Sequence, residues 1–307
     1  MNRQHKPLIS IEELYKCFGD VQALDGLNME VLPGDICGFL GPNGSGKSTT
    51  IRILLSLVKS DKGQVDIFGM NIKNSRKKIL PKIGALIERP DFYEHLSAFT
   101  NLRLLLKYGG LELTEREILE TLKIVGIEER AKDKVRVFSD GMKQRLGVAQ
   151  AIIHKPELLI LDEPFNGLDP QGVKDIRDLI LKLNREAGIT VLISSHNLDE
   201  IEKLVNRLVL INKGKTVAEG TIDDLINKGA SNVKLVVDHP EKAFLIIEKS
   251  AIKVDQLRMT DGNIFFSVNR KFIPQINILL VKSNIRVFHL SRDKSLESYF
   301  LSFMQSQ

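Results

Sequence analysis

Cysteine is scarce. The chain has two, Cys17 and Cys37, in 307 residues. They form no C-x-x-C pair and no metal-ligand spacing, so neither a disulfide framework nor a zinc site organises the fold. A reduced, cytosolic compartment is the setting this implies. Long apolar runs are absent too: none approaches the ~18–20 residues of a membrane-spanning helix. The opening stretch "MNRQHKPLIS" has no apolar core of the kind a signal peptide needs. The expectation is that any work at a membrane goes through a partner. No internal repeat and no low-complexity segment stands out. Neither sign of charge dominates, with 44 Lys and Arg against 39 Asp and Glu and a formal net charge of +5. Such a modest basic excess is compatible with nucleotides, nucleic acid or an anionic surface and selects none of them.

What is present is an ordinary globular composition, 43% hydrophobic and 27% charged. The length suggests two domains. "LISIEELYKCF" and "VQALDGLNMEVLPGDICGFLG" read as short alternating strands with polar turns. "TTIRILLSLV" has helical spacing, as do "NLRLLLKY" and "TEREILETLKIVG", the last with Gly126 as its stop. "PELLILDEP" and "ITVLISSH" are too apolar to alternate and read as buried strands. Between them lies the amphipathic helix "VKDIRDLILKLNREAG", ended by Gly188. Buried strands alternating with helices predict an α/β fold, a parallel sheet covered on both faces. "SRKK", from Ser75 to Lys78, reads either as a membrane-near patch or as a solvated charge run, and the second is favoured. The pattern changes at "INKGASN", where Gly, Ser and Asn cluster. This predicts a first domain over 1–226, a linker over 227–231 and a second domain over 232–307. In the second, strands and helices come in the order βαββαβ, with Asp261-Gly262 as a hairpin turn. That order is the split-βαβ, ferredoxin-like α+β arrangement. The chain closes on a further helix, "SLESYFLSFM".

The chemistry-bearing stretch is "GPNGSGKST". Gly41, Gly46, Lys47 and Ser48 fit G-x-x-x-x-G-K-[ST], with Pro42, Asn43, Gly44 and Ser45 inside the loop and Thr49 after it. Backbone N–H groups of such a loop wrap a β-phosphate, the Lys reaches the β- and γ-phosphates, and the Ser hydroxyl holds Mg²⁺. The motif comes after a strand and opens a helix, as that mechanism demands. Asp162, ending a buried strand, is a second candidate for Mg²⁺, and Glu163 a candidate general base. An acidic pair after a strand also serves as a helix N-cap, and only the phosphate loop tips the reading towards catalysis. His196, ending "TVLISSH", can reach a γ-phosphate, although a lone His at a strand end is more often structural.

In this order the motifs resemble the ATP-binding subunit of an ATP-binding cassette (ABC) transporter, over roughly residues 8–225. The resemblance implies a P-loop, RecA-like ATPase core with a helical subdomain and a small antiparallel sheet. It implies ATP and Mg²⁺ as ligands, an adenine-stacking role for Phe18 in "KCFG" (core packing being the alternative), and a signature loop at Ser139 and Gly141. It also implies a D-loop around Asp169 in "NGLDP", and Glu163 and His196 as catalytic residues. Such subunits work as head-to-tail dimers, each ATP lying between one phosphate loop and the other subunit's signature loop.

Two positions depart from the common pattern. The loop that usually carries Gln has Glu88, in "IGALIERPDFY", and the first signature Gly is replaced by Asp140, in "FSDGMKQRL". Both departures resemble the branch of bacitracin- and lantibiotic-type exporters. Glu88 is either a plain surface acid or an oxygen ligand on the Mg²⁺ side, which hard cations accept; it cannot donate as an amide does. For Asp140, a carboxylate about 8 Å from a γ-phosphate, at an effective dielectric of about 20, costs about 2 kcal/mol per phosphate charge. The helix dipole returns about 0.3–1 kcal/mol. The departure is tolerable if the side chain points outward; the alternative is a weakened site.

The function this implies is an ATPase that energises a separate multi-helix permease, as a homodimer on the cytoplasmic, inner face of the cell membrane. Export of a bacitracin- or lantibiotic-like peptide is favoured over export of another solute. Ribosome-directed cassettes carry two ATPase units per chain, and chromosome cassettes insert a long coiled coil between phosphate loop and signature; neither pattern is present here, so no nucleic-acid partner is expected. A non-catalytic regulatory cassette is the third class; Glu163 and His196 weigh against it, and Asp140 weighs mildly for it.

Overall fold

The computed structural model describes residues 6–87, 90–222, 224–225 and 231–293. The chain divides into two compact units between Glu219 and Gly220. In the first, β1 (Ile9–Phe18), β2 (Val21–Val31) and β3 (Ile36–Leu40) lead into α1 (Lys47–Leu54). Then come β4 (Lys62–Ile67), β5 (Met70–Asn71), α2 (Ile72–Ile79) and β6 (Ile83–Leu86). The next stretch is helical: α3 (Ala98–Tyr108), α4 (Glu115–Ile124) and α5 (Asp140–Ile152). The unit continues through β7 (Leu158–Asp162), α6 (Pro170–Ala187), β8 (Thr190–Ser195), α7 (Leu198–Glu202), β9 (Arg207–Asn212) and β10 (Lys215–Thr221).

The larger sheet has the order β10-β9-β3-β8-β7-β6, with parallel pairing from β9 through β3, β8 and β7 to β6. Every residue of β3, β7 and β8 is buried. A parallel strand covered on both faces has no polar side to alternate with, which is why "LLILD" and "TVLISS" read as continuous runs. β3 belongs to the same class, so the alternating pattern expected across residues 21–41 holds from Leu27 to Val31 of β2 and fails at "ICGFL". Each fully buried Leu or Ile here contributes roughly 1.5–3 kcal/mol. The parallel register sets Leu40 beside Ser195 and Asp162 beside Ser194. The loops leaving the C-terminal ends of β3, β7 and β8 therefore emerge together at one edge of the sheet.

The smaller sheet is antiparallel, in the order β2-β1-β4-β5. The charge run at residues 75–78 lies on α2, which buries Ile72 and Ile79 and leaves Arg76, Lys77 and Lys78 in solvent. Caps define the other helices. Thr114 and Glu117 form a capping box on α4, and Gly188 ends α6 in the left-handed conformation.

The second unit runs β11 (Ser231–Val237), α8 (Pro240–Glu248), β12 (Asp255–Thr260), β13 (Asn263–Val268), α9 (Ile273–Lys282) and β14 (Val287–Asp293). Its sheet order is β12-β13-β11-β14, antiparallel throughout. The order βαββαβ is thus folded as the split arrangement the sequence pattern predicts. Asp261 and Gly262 both have positive φ, the two-residue turn that matches strand twist. Its core gathers Leu235, Ile247, Ile264, Phe266, Ile276 and Leu280. The expected closing helix lies outside the described residues. Among the described residues, no helix is long and apolar enough to cross a membrane.

Candidate active site

The loop between β3 and α1 is shaped by its glycines. Gly46 caps α1 at φ 108° with no side-chain cap. A Cβ there would stand 2.7 Å from the Ala23 carbonyl oxygen, so only glycine fits. The first turn of α1 carries no acid. Its N–H groups are the unsatisfied donors that make a helix N-terminus an anion site. Lys47 is only 5% exposed. Its ammonium donates to Gly41 O at 2.8 Å and Pro42 O at 3.4 Å, and lies 3.4 Å from Glu163 Oε1. Asn43 and Gly44 stand exposed at the loop tip, and Ser48 and Thr49 are half-buried. Among the described residues, the buried Ser45 Oγ has no hydrogen-bond partner.

Opposite this loop, β7 delivers Asp162 and Glu163, and β8 delivers His196. Asp162 is buried. Glu163 has φ 49°, an uncommon conformation for a residue with a side chain. Its Oε2 meets His196 Nδ1 at 2.8 Å. Its backbone N–H donates to Ser194 Oγ at 2.9 Å, and Ser194 Oγ in turn donates to Asp162 Oδ1. Glu200, on α7, is close enough to feel the charges of His196 and Glu163; burial pushes its carboxyl above the usual range.

A second group forms around the N-termini of α5 and α6. Ser139 Oγ accepts the Met142 N–H at 3.3 Å and caps α5. Asp169 Oδ1 accepts the Gly172 N–H at 2.8 Å and caps α6, with Pro170 in the first turn. Ser139, Asp140, Gly141 and Asp169 line one open cavity of about 760 Å³. Asp140 is exposed. Gln144, one turn into α5, is buried and donates to Pro164 O at 2.8 Å, which ties the signature helix to the residue after Glu163. Phe18 ends β1, 49% exposed, with Lys16 Nζ 5.1 Å from its ring centroid. Asp61 anchors this strand end, accepting from Lys16 Nζ at 2.8 Å and from the Cys17 N–H at 2.6 Å. Those two bonds hold its carboxyl below the usual range.

Residues 24–166 match the family model described as ABC transporter. A bacitracin transport ATP-binding protein of Bacillus licheniformis is 42% identical over 298 residues, covering 97% of each chain. The chain belongs to the ABC transporter family. A lantibiotic transport ATP-binding protein of Streptococcus pyogenes is 40% identical over 216 residues, 70% of this chain and 92% of its own. A dimeric bacterial ABC transporter cassette is similar in structure, with a TM-score of 0.62 at 27% identity, over 69% of this chain and 98% of that one. As an ATP-binding protein of this family the chain binds ATP and is an ATPase.

The cassette brings Lys47, Asp162, Glu163 and His196 into one cluster. It sets Ser139, Gly141 and Asp169 in another, and no hydrogen bond or ion pair among the described residues joins these three to Lys47. No hydrogen bond or ion pair among the described residues ties the Phe18 side chain to either, and Glu88 lies outside the described residues. The donor set fits a magnesium ion: a half-buried serine hydroxyl, Ser48, and a buried carboxylate, Asp162, are the hard oxygen ligands that Mg²⁺ takes together with phosphates. Ser194 and Glu200 are neighbours of these residues that sequence reasoning missed. For Ser194 a signal existed: hydroxyls at the end of an apolar buried strand must find partners.

Proposed function

We propose that this chain is the ATP-hydrolysing subunit of an exporter that moves a bacitracin- or lantibiotic-like antimicrobial peptide out of the cell, giving resistance or immunity. The observation that carries this reading is the near full-length similarity to a bacitracin transport ATP-binding protein. The likeness to a lantibiotic transport subunit supports it. The membrane path belongs to a separate multi-helix permease, and the cassette sits on its cytoplasmic face, with no nucleic acid involved.

In this reading ATP is the substrate. Its adenine stacks on the exposed Phe18, and its phosphates take the N–H groups of residues 41–49. Lys47 exchanges its carbonyl partners for phosphate oxygens, a stronger, charge-assisted bond. Ser48 and Asp162 are the residues that would hold Mg²⁺, which when bound neutralises charge on the β- and γ-phosphates. Glu163 takes the proton of the attacking water. His196, already on Glu163 Oε2, orients that carboxylate. A second copy, arranged head to tail, presents Ser139 and Gly141 to the γ-phosphate. The structural likeness to a dimeric cassette supports that arrangement. The exposed Asp140 side chain and the open space around Gly141 leave room for this docking.

The test is co-expression with a candidate multi-helix permease, in a host sensitive to bacitracin. Wild-type protein should raise the inhibitory concentration several-fold, and Glu163→Gln should not. If export of an unrelated solute rises while bacitracin and lantibiotic sensitivity stay unchanged, the substrate class is wrong.

A further inference from the structure

β8 is apolar through Ile193 and then carries two hydroxyls, Ser194 and Ser195, both buried. Their roles differ. Ser195 Oγ closes the turn into α7, donating to Asn197 O at 3.1 Å and accepting the Asn197 N–H at 2.9 Å. Ser194 bonds across the sheet instead, to the pair at the end of β7, where Asp162 is its register partner. A serine hydroxyl has one proton to give. Because Ser194 Oγ accepts the Glu163 N–H, its own proton goes to Asp162 Oδ1, and that carboxylate oxygen serves as the acceptor. Glu163 is thereby gripped twice from the same stretch of chain, at its backbone by Ser194 and at its side chain by His196 two residues on. The grip falls where Glu163 adopts φ 49°, a conformation that persists only when its surroundings hold it.

We propose that Ser194 is a positioning residue for ATP hydrolysis: its hydroxyl fixes the Asp162 carboxylate and the Glu163 backbone relative to each other. This rests on the reading of Asp162 as cation-side ligand and Glu163 as base. Without the hydroxyl, a buried carboxylate oxygen and a part-buried N–H both lose their partner, and the two acids lose their fixed spacing at the step where it matters.

The experiment compares Ser194→Ala, Ser194→Val and Ser194→Thr in the full-length purified chain. Steady-state phosphate release is read alongside the affinity for a fluorescent ATP analogue measured in EDTA. Thr and Val share a shape and differ in the hydroxyl. Ala and Val should lower kcat about tenfold or more. Analogue affinity in all three variants should stay within about threefold of wild type, and kcat of the Thr variant should too. A Val variant that hydrolyses as fast as the Thr variant overturns the proposal. So does a loss of nucleotide affinity or of folding in Ala and Val that parallels the loss of activity, since the hydroxyl would then serve the fold and not the reaction. The underlying reading fails separately: wild-type protein without hydrolysis, or Glu163→Gln hydrolysing normally, removes the base assignment whatever Ser194 does.

Discussion

At the scale of single residues, the site is a set of charges that answer one another. Lys47 is buried yet held by two carbonyls and a carboxylate. Its ammonium is therefore fixed at the head of α1. Removing it deletes a charge-assisted contact, so Lys47→Ala should weaken ATP binding by at least about tenfold, as read by titration with a fluorescent analogue. Unchanged affinity would place the phosphates elsewhere. Asp140 is the opposite case. It occupies the first turn of α5, exposed, where a carboxylate gains about 0.3–1 kcal/mol from the helix dipole. Asp140→Gly should leave ATPase activity unchanged or raise it a few-fold. A tenfold loss would mean that the acid has a positive role. Much of this cluster was legible in sequence, because the phosphate loop, the acid pair and the histidine each end a buried strand. Ser194 was not, because its partner lies on a strand some thirty residues earlier and only the register of β7 against β8 joins them.

At the scale of elements, caps and buried runs carried the reading. Gly126 and Gly188 mark helix ends in the sequence and in the fold. Elements with little periodicity escaped it. α2 has eight residues, two of them buried, and a non-helical Ser75 inside, so its Lys and Arg look like a loop. β1 and β2, by contrast, read as strands in the sequence although they pair through several register shifts. Capping predicts a stability effect separable from chemistry. Asp169→Ala removes the bond to the Gly172 N–H and should cost about 1 kcal/mol. That is a lowering of Tm by about 2–4 °C for a unit of this size, measured by calorimetry. An unchanged Tm would show that the bond adds nothing to the free cassette. Gly46→Ala should be worse locally, since the loop must give way to the new Cβ. Nucleotide binding, rather than Tm, is where that change should register.

At the scale of the whole molecule, the cluster of Lys47, Asp162, Glu163 and His196 lies entirely within the first unit, and the second has a core of its own. A chain ending near residue 229 should still bind ATP. If it stays folded and loses all nucleotide affinity, the division of labour between the units is wrong. The central claim is that Glu163 serves as the base in an ATP-hydrolysing cassette whose two copies close on nucleotide. Its most direct test is phosphate release by the purified full-length chain and its Glu163→Gln variant, with size-exclusion chromatography in ATP. Hydrolysis should fall about 10²–10⁴-fold in the variant while ATP still binds, and the unspent nucleotide should hold the variant as a dimer. Near-normal turnover by Glu163→Gln, or no hydrolysis by the wild-type chain, would contradict the account.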